Sequence, residues 1–92
     1  MTNSEDRVHT HPDGKTFLRI DSNCIEAQIA ELKTGSLFGV MIGRIHGYAP
    51  DDLEFLTRIP DIRGVHIQDR IADITALDAL SSLEYLLVTE PT

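Results

Sequence analysis

The chain has 92 residues, 41% of them apolar and 25% charged, which is enough for one small domain with a single hydrophobic core. No run of about 18 apolar residues occurs, which argues against a membrane-spanning helix, and the polar, acidic start resembles no secretory signal, so we expect a cytoplasmic protein. The net charge is −7, and residues 50–92 contribute −6 through nine acids and three bases. Such a field opposes nucleic-acid binding and favours a basic protein partner over a phosphate backbone.

The first predicted element is a β-hairpin near the start of the chain. Residues 8–11 and 16–20 are strand-like and flank Pro12-Asp13-Gly14-Lys15, where proline presets φ and glycine accepts a positive φ. We expect residues 1–7 to be a disordered terminus. Residues 8–92 are then predicted to form one domain, with the hairpin covering its first edge.

Helical segments and apolar strands alternate after the hairpin. The predicted elements are, in order, a helix over 24–33, a strand over 38–43, a helical stretch from Asp51 to Pro60, a strand over 64–68, a helical stretch from Asp73 and a strand over 85–88. Ser22 or Asn23 is expected to cap the first helix, and Gly35 to end it.

The strands recur at a regular interval. Ile20, Ile42, Ile67 and Val88 follow one another at an interval of about 20 to 25 positions, which is typical of units that bury their apolar sides by stacking on one another. Seven residues between 52 and 67 also align, at one constant offset, with seven residues of the following unit. The aligned positions are Asp52, Leu53, Leu56, Ile59, Ile62, Val65 and Ile67, matched by Asp73, Ile74, Leu77, Leu80, Leu83, Leu86 and Val88.

This pattern resembles the leucine-rich repeat family, nearest to the short type of repeat found in bacterial internalins, over about residues 17 to 90. The resemblance implies an α/β solenoid with a concave parallel sheet, short convex helical segments and the hairpin as N-terminal cap. The family also places an asparagine after each strand, where its amide satisfies backbone groups in the turn. Only Asn23 fits that position; Ile45, Arg70 and Pro91 occupy the others. A small doubly wound α/β sheet is the alternative, but its units usually need about 30 residues.

The resemblance further implies protein binding through the concave face of the sheet. If the apolar positions such as Ile20 and Ile42 point inward, strand alternation places their neighbours on that face. The predicted partner-binding residues are Phe17, Arg19, Met41, His66, Tyr85 and Leu87. Aromatic residues, methionine and arginine are enriched at the centres of protein interfaces.

The residues that could act in catalysis or metal binding have simpler structural explanations. Asp13-Gly14-Lys15-Thr16 lacks the first glycine of a phosphate-binding loop and is followed by a strand, so it is interpreted as a hairpin turn. His9 and His11 share one side of a strand, but no third metal ligand is identifiable. Cys24 is interpreted as a small core residue. We therefore expect no enzyme, cofactor or metal site; a phosphate-binding enzyme using Lys15 and Thr16 remains the alternative from another class.

The sequence thus predicts a non-enzymatic protein-interaction module. The alternative is a small acidic immunity or antitoxin protein that neutralises a basic partner. The chain stops soon after an apolar strand at 85–88, and an uncovered edge strand is a template for pairing. We expect either a homodimer through this edge or a longer repeat protein of which these residues are the beginning.

Overall fold

The computed structural model describes residues 8–35 and 37–89, so the predicted disordered terminus at 1–7 lies outside the described residues. The described residues form a five-stranded sheet, one α-helix and four short 3₁₀ helices, which confirms the expectation of an α/β domain. None of these helices is long and apolar enough to cross a membrane.

The five strands lie in the sheet in the order in which they occur along the chain. β1 and β2 form the predicted antiparallel hairpin, and each later strand is parallel to the one before it. The strands are β1 Val8–Thr10, β2 Thr16–Arg19, β3 Gly39–Ile42, β4 Gly64–Ile67 and β5 Tyr85–Val88.

The hydrophobic core lies on one face of this sheet, here called the inner face. Leu18, Val40 and Val65 share one register row and are at most 1% exposed. Ile42 and Ile67 pair in the next inner row and are equally buried. Strand alternation therefore places the predicted apolar positions of β2, β3 and β4 in the core.

The helix α1, Ile25–Leu32, packs on the inner face through Ile29 and Leu32. Gln28 on the same helix is 5% exposed; its amide nitrogen donates to the carbonyl of Arg19 at 2.8 Å and its oxygen accepts from the backbone N–H of Asp21 at 2.9 Å. This glutamine satisfies backbone groups at the end of β2, where the family pattern predicted the amide of Asn23. Asn23 itself is exposed.

The caps of this segment also differ from the prediction. Neither Ser22 nor Asn23 caps α1, whose first flanking residue is Cys24, with no side-chain cap. Asp21 instead accepts from the N–H of Asn23 at 2.9 Å and starts a 3₁₀ turn, Ser22–Cys24, that leads into α1. Gly35 has the positive φ of 78° expected where the chain turns away from the helix.

The helical stretches of the next two units are 3₁₀ helices, Glu54–Arg58 and Thr75–Ala79, and they repeat the same backbone hydrogen bonds at the aligned positions. Leu56 N–H donates to Leu53 as Leu77 N–H donates to Ile74, and the next bonds along each segment match in the same way. Asp52 and Asp73 each accept from the N–H two positions on, and they pair with each other as a parallel bridge. The two aligned sequences therefore adopt one local conformation.

Candidate protein-binding surfaces

The six residues predicted to contact a partner all lie on the other face of the sheet, here called the outer face. They fall in two register rows. Phe17 and Tyr85 lie at the ends of a row whose middle positions are Gly39 and Gly64. The second row contains Arg19, Met41, His66 and Leu87.

Three of the six predicted contact residues are buried on this face and offer a partner little accessible surface. Phe17 is fully buried, Met41 is 3% exposed and His66 is 8% exposed. Tyr85 and Arg19 are half-buried and Leu87 is 36% exposed. A partner on the outer face would therefore meet mainly the hairpin and β5 rather than the central strands.

The two glycines explain how an aromatic side chain becomes buried on this face. A Cβ at Gly39 would collide with the carbonyl of Gly64, and a Cβ at Gly64 would lie 2.9 Å from the Phe17 ring and 2.5 Å from the Phe38 ring. Phe17 lies across the space that these glycines leave, with ring centroids 5.7 Å from Phe38 and 5.4 Å from Tyr85. The aromatic rings therefore fill the space above the two glycines on the outer face.

Histidines converge on the same outer face from distant parts of the chain. The ring of His11 packs on Phe17 at 4.4 Å and meets His66 edge-on at 6.1 Å, and His9 lies 5.0 Å from His11. His46 pairs with Gln68, the two side-chain atoms Nε2 and Oε1 being 2.5 Å apart. The hairpin pair, His46 and His66 are far apart in the sequence, and the tertiary structure brings them to one face.

The second surface is the outer edge of β5 and the apolar residues beside it, here called the open end. Leu86 is 48% and Val88 is 52% exposed, although the equivalent Val65 and Ile67 are buried. Ile74 is 48% exposed, whereas its counterpart Leu53 is fully buried. The last unit has the conformation of the one before it, but in the described residues nothing covers it.

Within residues 8–35 and 37–89, no further strand pairs with the outer edge of β5. Tyr85 donates its N–H to the carbonyl of Arg63, the residue before β4, and Thr89 donates its N–H to the carbonyl of Ile67 in β4. Because a strand alternates the side toward which its amides point, the N–H and C=O groups of Leu86 and Val88 face away from the sheet. The open end therefore combines an apolar row with an unpaired strand edge.

A groove of about 630 Å³ lies at the open end, close to the ends of β4 and β5. Its apolar floor includes Ile67, Ile71, Ile74 and Val88. Residues 71–89 hold three acids and no base, namely Asp73, Asp78 and Glu84, all exposed. Residues 71–89 are thus acidic, while the groove itself is lined by both signs of charge, Arg44 and Arg70 together with Asp51 and Asp69.

The residues considered for catalysis occupy simple structural positions. Lys15 pairs with Asp13 at 2.8 Å across the hairpin turn, where Gly14 has the expected positive φ. Cys24 is exposed rather than in the core, which corrects the interpretation made from the sequence. Within residues 8–35 and 37–89, no group of three or more histidines, cysteines or acids is arranged to hold a metal ion.

Comparisons with protein-family models, with curated proteins and with solved structures gave no match for this chain.

Proposed function

We propose that this chain is a short leucine-rich-repeat solenoid that acts as a non-enzymatic protein-interaction module, and that its main contact surface is the open end. The observation behind this proposal is a difference in burial between the last two units, which have the same backbone conformation. Val65 and Ile67, whose strand pairs with a following strand, are buried, while Leu86 and Val88 in the same positions are about half exposed. An additional strand would complete the last unit in the same manner.

The support for a repeat architecture is the matched backbone pattern of the two aligned units, together with the sequential order of parallel strands. In a solenoid each unit contacts only its neighbours, so a terminal unit keeps one apolar side without cover. Covering such a side is a source of binding energy, because about 25 cal/mol is gained for each Å² of apolar surface removed from water.

The proposed occupant is an extended segment of a basic protein. Strand addition would use the outward N–H and C=O groups of Leu86 and Val88 for main-chain hydrogen bonds. The last unit has three exposed acids and no base, Asp73, Asp78 and Glu84, and this net negative charge favours lysine or arginine in that segment and disfavours a second copy of this chain. Tyr85 and Leu87, two of the residues predicted as partner contacts, belong to the same strand.

The test is titration of the 92-residue protein with a peptide of about eight alternating valine and lysine residues, followed by calorimetry. We expect saturable binding that weakens as salt is raised and that is lost in Val88→Pro, which removes an outward N–H without removing a bond to β4. Val88→Ala is the matched variant, because it keeps the N–H and should retain part of the affinity. A peptide with glutamate in place of lysine should bind more weakly.

Light scattering over a concentration series tests the alternative occupant. The proposal predicts a monomer at micromolar concentration. A discrete dimer that Val88→Pro disrupts would identify a second copy as the occupant and would contradict a basic partner. Equal binding of the lysine and glutamate peptides would contradict the role given to the acids.

The acidic immunity or antitoxin function is favoured as a second candidate by the exposed acids of the second half of the chain. This function predicts a different contact, in which a folded basic protein is recognised through charge alone. Association should then slow steeply with salt and should be insensitive to Val88→Ala. A cytoplasmic location is part of both proposals.

A further inference from the structure

A cavity of about 360 Å³ lies between the end of α1 and the segment that leads from the 3₁₀ helix Glu54–Arg58 into β4. Small-molecule pockets in proteins usually have volumes of about 300 to 1,000 Å³, so the cavity is large enough for a small ligand. Among the described residues, it shares no lining residue with the groove at the open end. A ligand in this cavity therefore goes beyond the proposed function.

The floor of the cavity is apolar. Leu32, Ile59 and Ile62 belong to the hydrophobic core, yet each keeps a small accessible area of 5 to 7% and lines the cavity. Leu37 and Pro60, which are less buried, complete the apolar lining. A ligand with an apolar body would remove this surface from water, and such burial is favourable.

The rim of the cavity is positively charged although the protein is acidic. Among the described residues, three cations line the cavity, Lys33, Arg58 and Arg63, against one acid, Asp61, and all four are exposed. The chain as a whole has 15 acids and eight lysines and arginines. The cavity therefore reverses the charge balance of the protein and favours an anion over a cation.

One of the three cations is held by an ion pair that joins the two walls of the cavity. Both terminal nitrogens of Arg58 donate to the carboxylate of Glu26, in the first turn of α1, at 2.8 Å each. The hydrogen bonds from Arg58, and then its charge, lower the pKa of Glu26, and Lys33 acts weakly in the same direction. Glu26 thus neutralises Arg58, and Lys33 and Arg63 leave an excess of positive charge over Asp61.

Lys33 and Arg63 are available to an anionic ligand. No carboxylate of the described residues forms an ion pair with either of them. The guanidinium carbon of Arg63 lies 5.7 Å from the centre of the Phe38 ring, a cation–π contact that restricts its position. A guanidinium placed over a ring keeps its in-plane N–H donors, which match the two oxygens of a carboxylate.

We propose that this cavity binds a small organic carboxylate with an apolar body. The body lies on Leu32, Ile59 and Ile62, and the carboxylate pairs with Lys33 and Arg63 at the rim. The affinity comes from both parts of the ligand, because the apolar floor alone does not distinguish charge and the exposed cations alone bind an anion weakly.

The experiment titrates the unmodified protein with four probes and follows its backbone amides by NMR. The probes are octanoate, acetate, octanol and octylammonium, at one ionic strength. We expect octanoate to bind with a Kd of about 1 mM or below, and about tenfold more tightly than each of the other three. The shifts should be largest at the amides of Lys33, Leu37 and Arg63. Added salt should weaken octanoate binding and leave octanol binding unchanged.

The matched variants are Lys33→Gln and Arg63→Gln, which keep long side chains and remove the two charges. We expect each to weaken octanoate binding about threefold to fivefold, and the double variant to bind octanoate no better than octanol. Arg58 is left in place because its ion pair joins the walls. Lys15→Gln, in the hairpin turn and outside the cavity lining, is the control and should bind octanoate as the wild type does.

Four results overturn the proposal. Octanoate shifts that spare the amides of the cavity lining would place binding elsewhere. Equal affinity for octanol and octanoate would show that the cations take no part, and equal affinity for acetate would show that the apolar floor takes none. Tighter binding of octylammonium would show that Asp61 and the negative end of α1 determine the charge preference instead. The four probes on the unmodified protein decide the matter even where a variant fails to fold.

Discussion

Replacement of Gly64 by alanine tests the aromatic packing of the outer face. The new Cβ would lie 2.5 Å from the Phe38 ring and 2.9 Å from the Phe17 ring, whereas carbon atoms pack at about 3.5 to 4.0 Å. Both rings must therefore shift to make room for it. Overpacking of this kind costs about 1 to 3 kcal/mol, and the reduced entropy of the unfolded chain returns about 0.4 to 1 kcal/mol.

The net expectation is a loss of about 1 to 2 kcal/mol in the free energy of unfolding, or a decrease in Tm of about 5 to 15 °C for a domain of this size. Thermal and urea unfolding followed by circular dichroism measure both quantities. Gly43→Ala is the matched control, because its Cβ would lie 3.4 Å from Gln68 and its φ of 177° suits any residue. We expect that variant to be as stable as the wild type or slightly more stable.

A smaller side chain at Phe38 should partly restore stability to Gly64→Ala, since it removes the nearer ring. The reasoning is refuted if Gly64→Ala is as stable as Gly43→Ala. It is also refuted if Phe38→Leu destabilises the alanine variant as much as it destabilises the wild type, because the two sites would then be energetically independent.

Three further changes test other parts of the structure. Gln28→Leu removes the side-chain amide that bridges the backbone of Arg19 and Asp21, and it should lower the free energy of urea unfolding by about 2 kcal/mol. An unchanged urea midpoint would show that water replaces the amide. Leu56→Ala, at a fully buried position, should cost about 2 to 5 kcal/mol by the same assay, and a loss below about 1 kcal/mol would contradict its place in the core. The pKa of His66 is lowered in the folded protein, so the unfolded chain binds more protons just below the ordinary value of 6.5. The contribution of the neutral His66 ring to the free energy of unfolding is therefore complete above pH 6.5 and is lost as the pH falls from 6.5 through the lowered pKa of the folded protein. We expect His66→Phe to reduce this dependence of the unfolding free energy on pH. An unchanged pH dependence would contradict the burial of an unpaired imidazole.

Local sequence signals predicted the strands and the hairpin well. Turn chemistry at Pro12 and Gly14 placed the hairpin, and β5 begins and ends at the predicted residues 85 and 88. Apolar spacing also placed the segments after Asp51 and Asp73, but periodicity alone does not distinguish a short α-helix from a 3₁₀ helix. The structure has α-helical hydrogen bonding only in the segment Ile25–Leu32 among the described residues.

The burial of the outer face was not predictable from strand alternation. Alternation gives the side of the sheet on which a residue lies, and it placed Phe17, Met41 and His66 correctly on the outer face. It does not show that Gly39 and Gly64 lower the surface enough for neighbouring rings to cover it. That depends on the register between strands that are far apart in the sequence.

The histidine cluster and the backbone role of Gln28 were missed for a related reason. Each depends on residues brought together by tertiary structure, such as His11 from the hairpin and His66 from β4. The spacing of His9 and His11 indicated one shared side of a strand, but it gave no reason to place His66 beside them. For Gln28, the family pattern directed attention to the amide of Asn23 instead.

Residue-level hydrogen exchange at the outer edge of β5 tests the central claim most directly. The amides of Leu86 and Val88 face away from the sheet and should exchange rapidly in the protein alone, while the amide of Thr89 is bonded to Ile67 and should be slower. With a saturating amount of the valine and lysine peptide, we expect protection to appear at Leu86 and Val88 together. Binding of the peptide with no change at these two amides, or with protection confined to the outer face, would contradict strand addition at the open end.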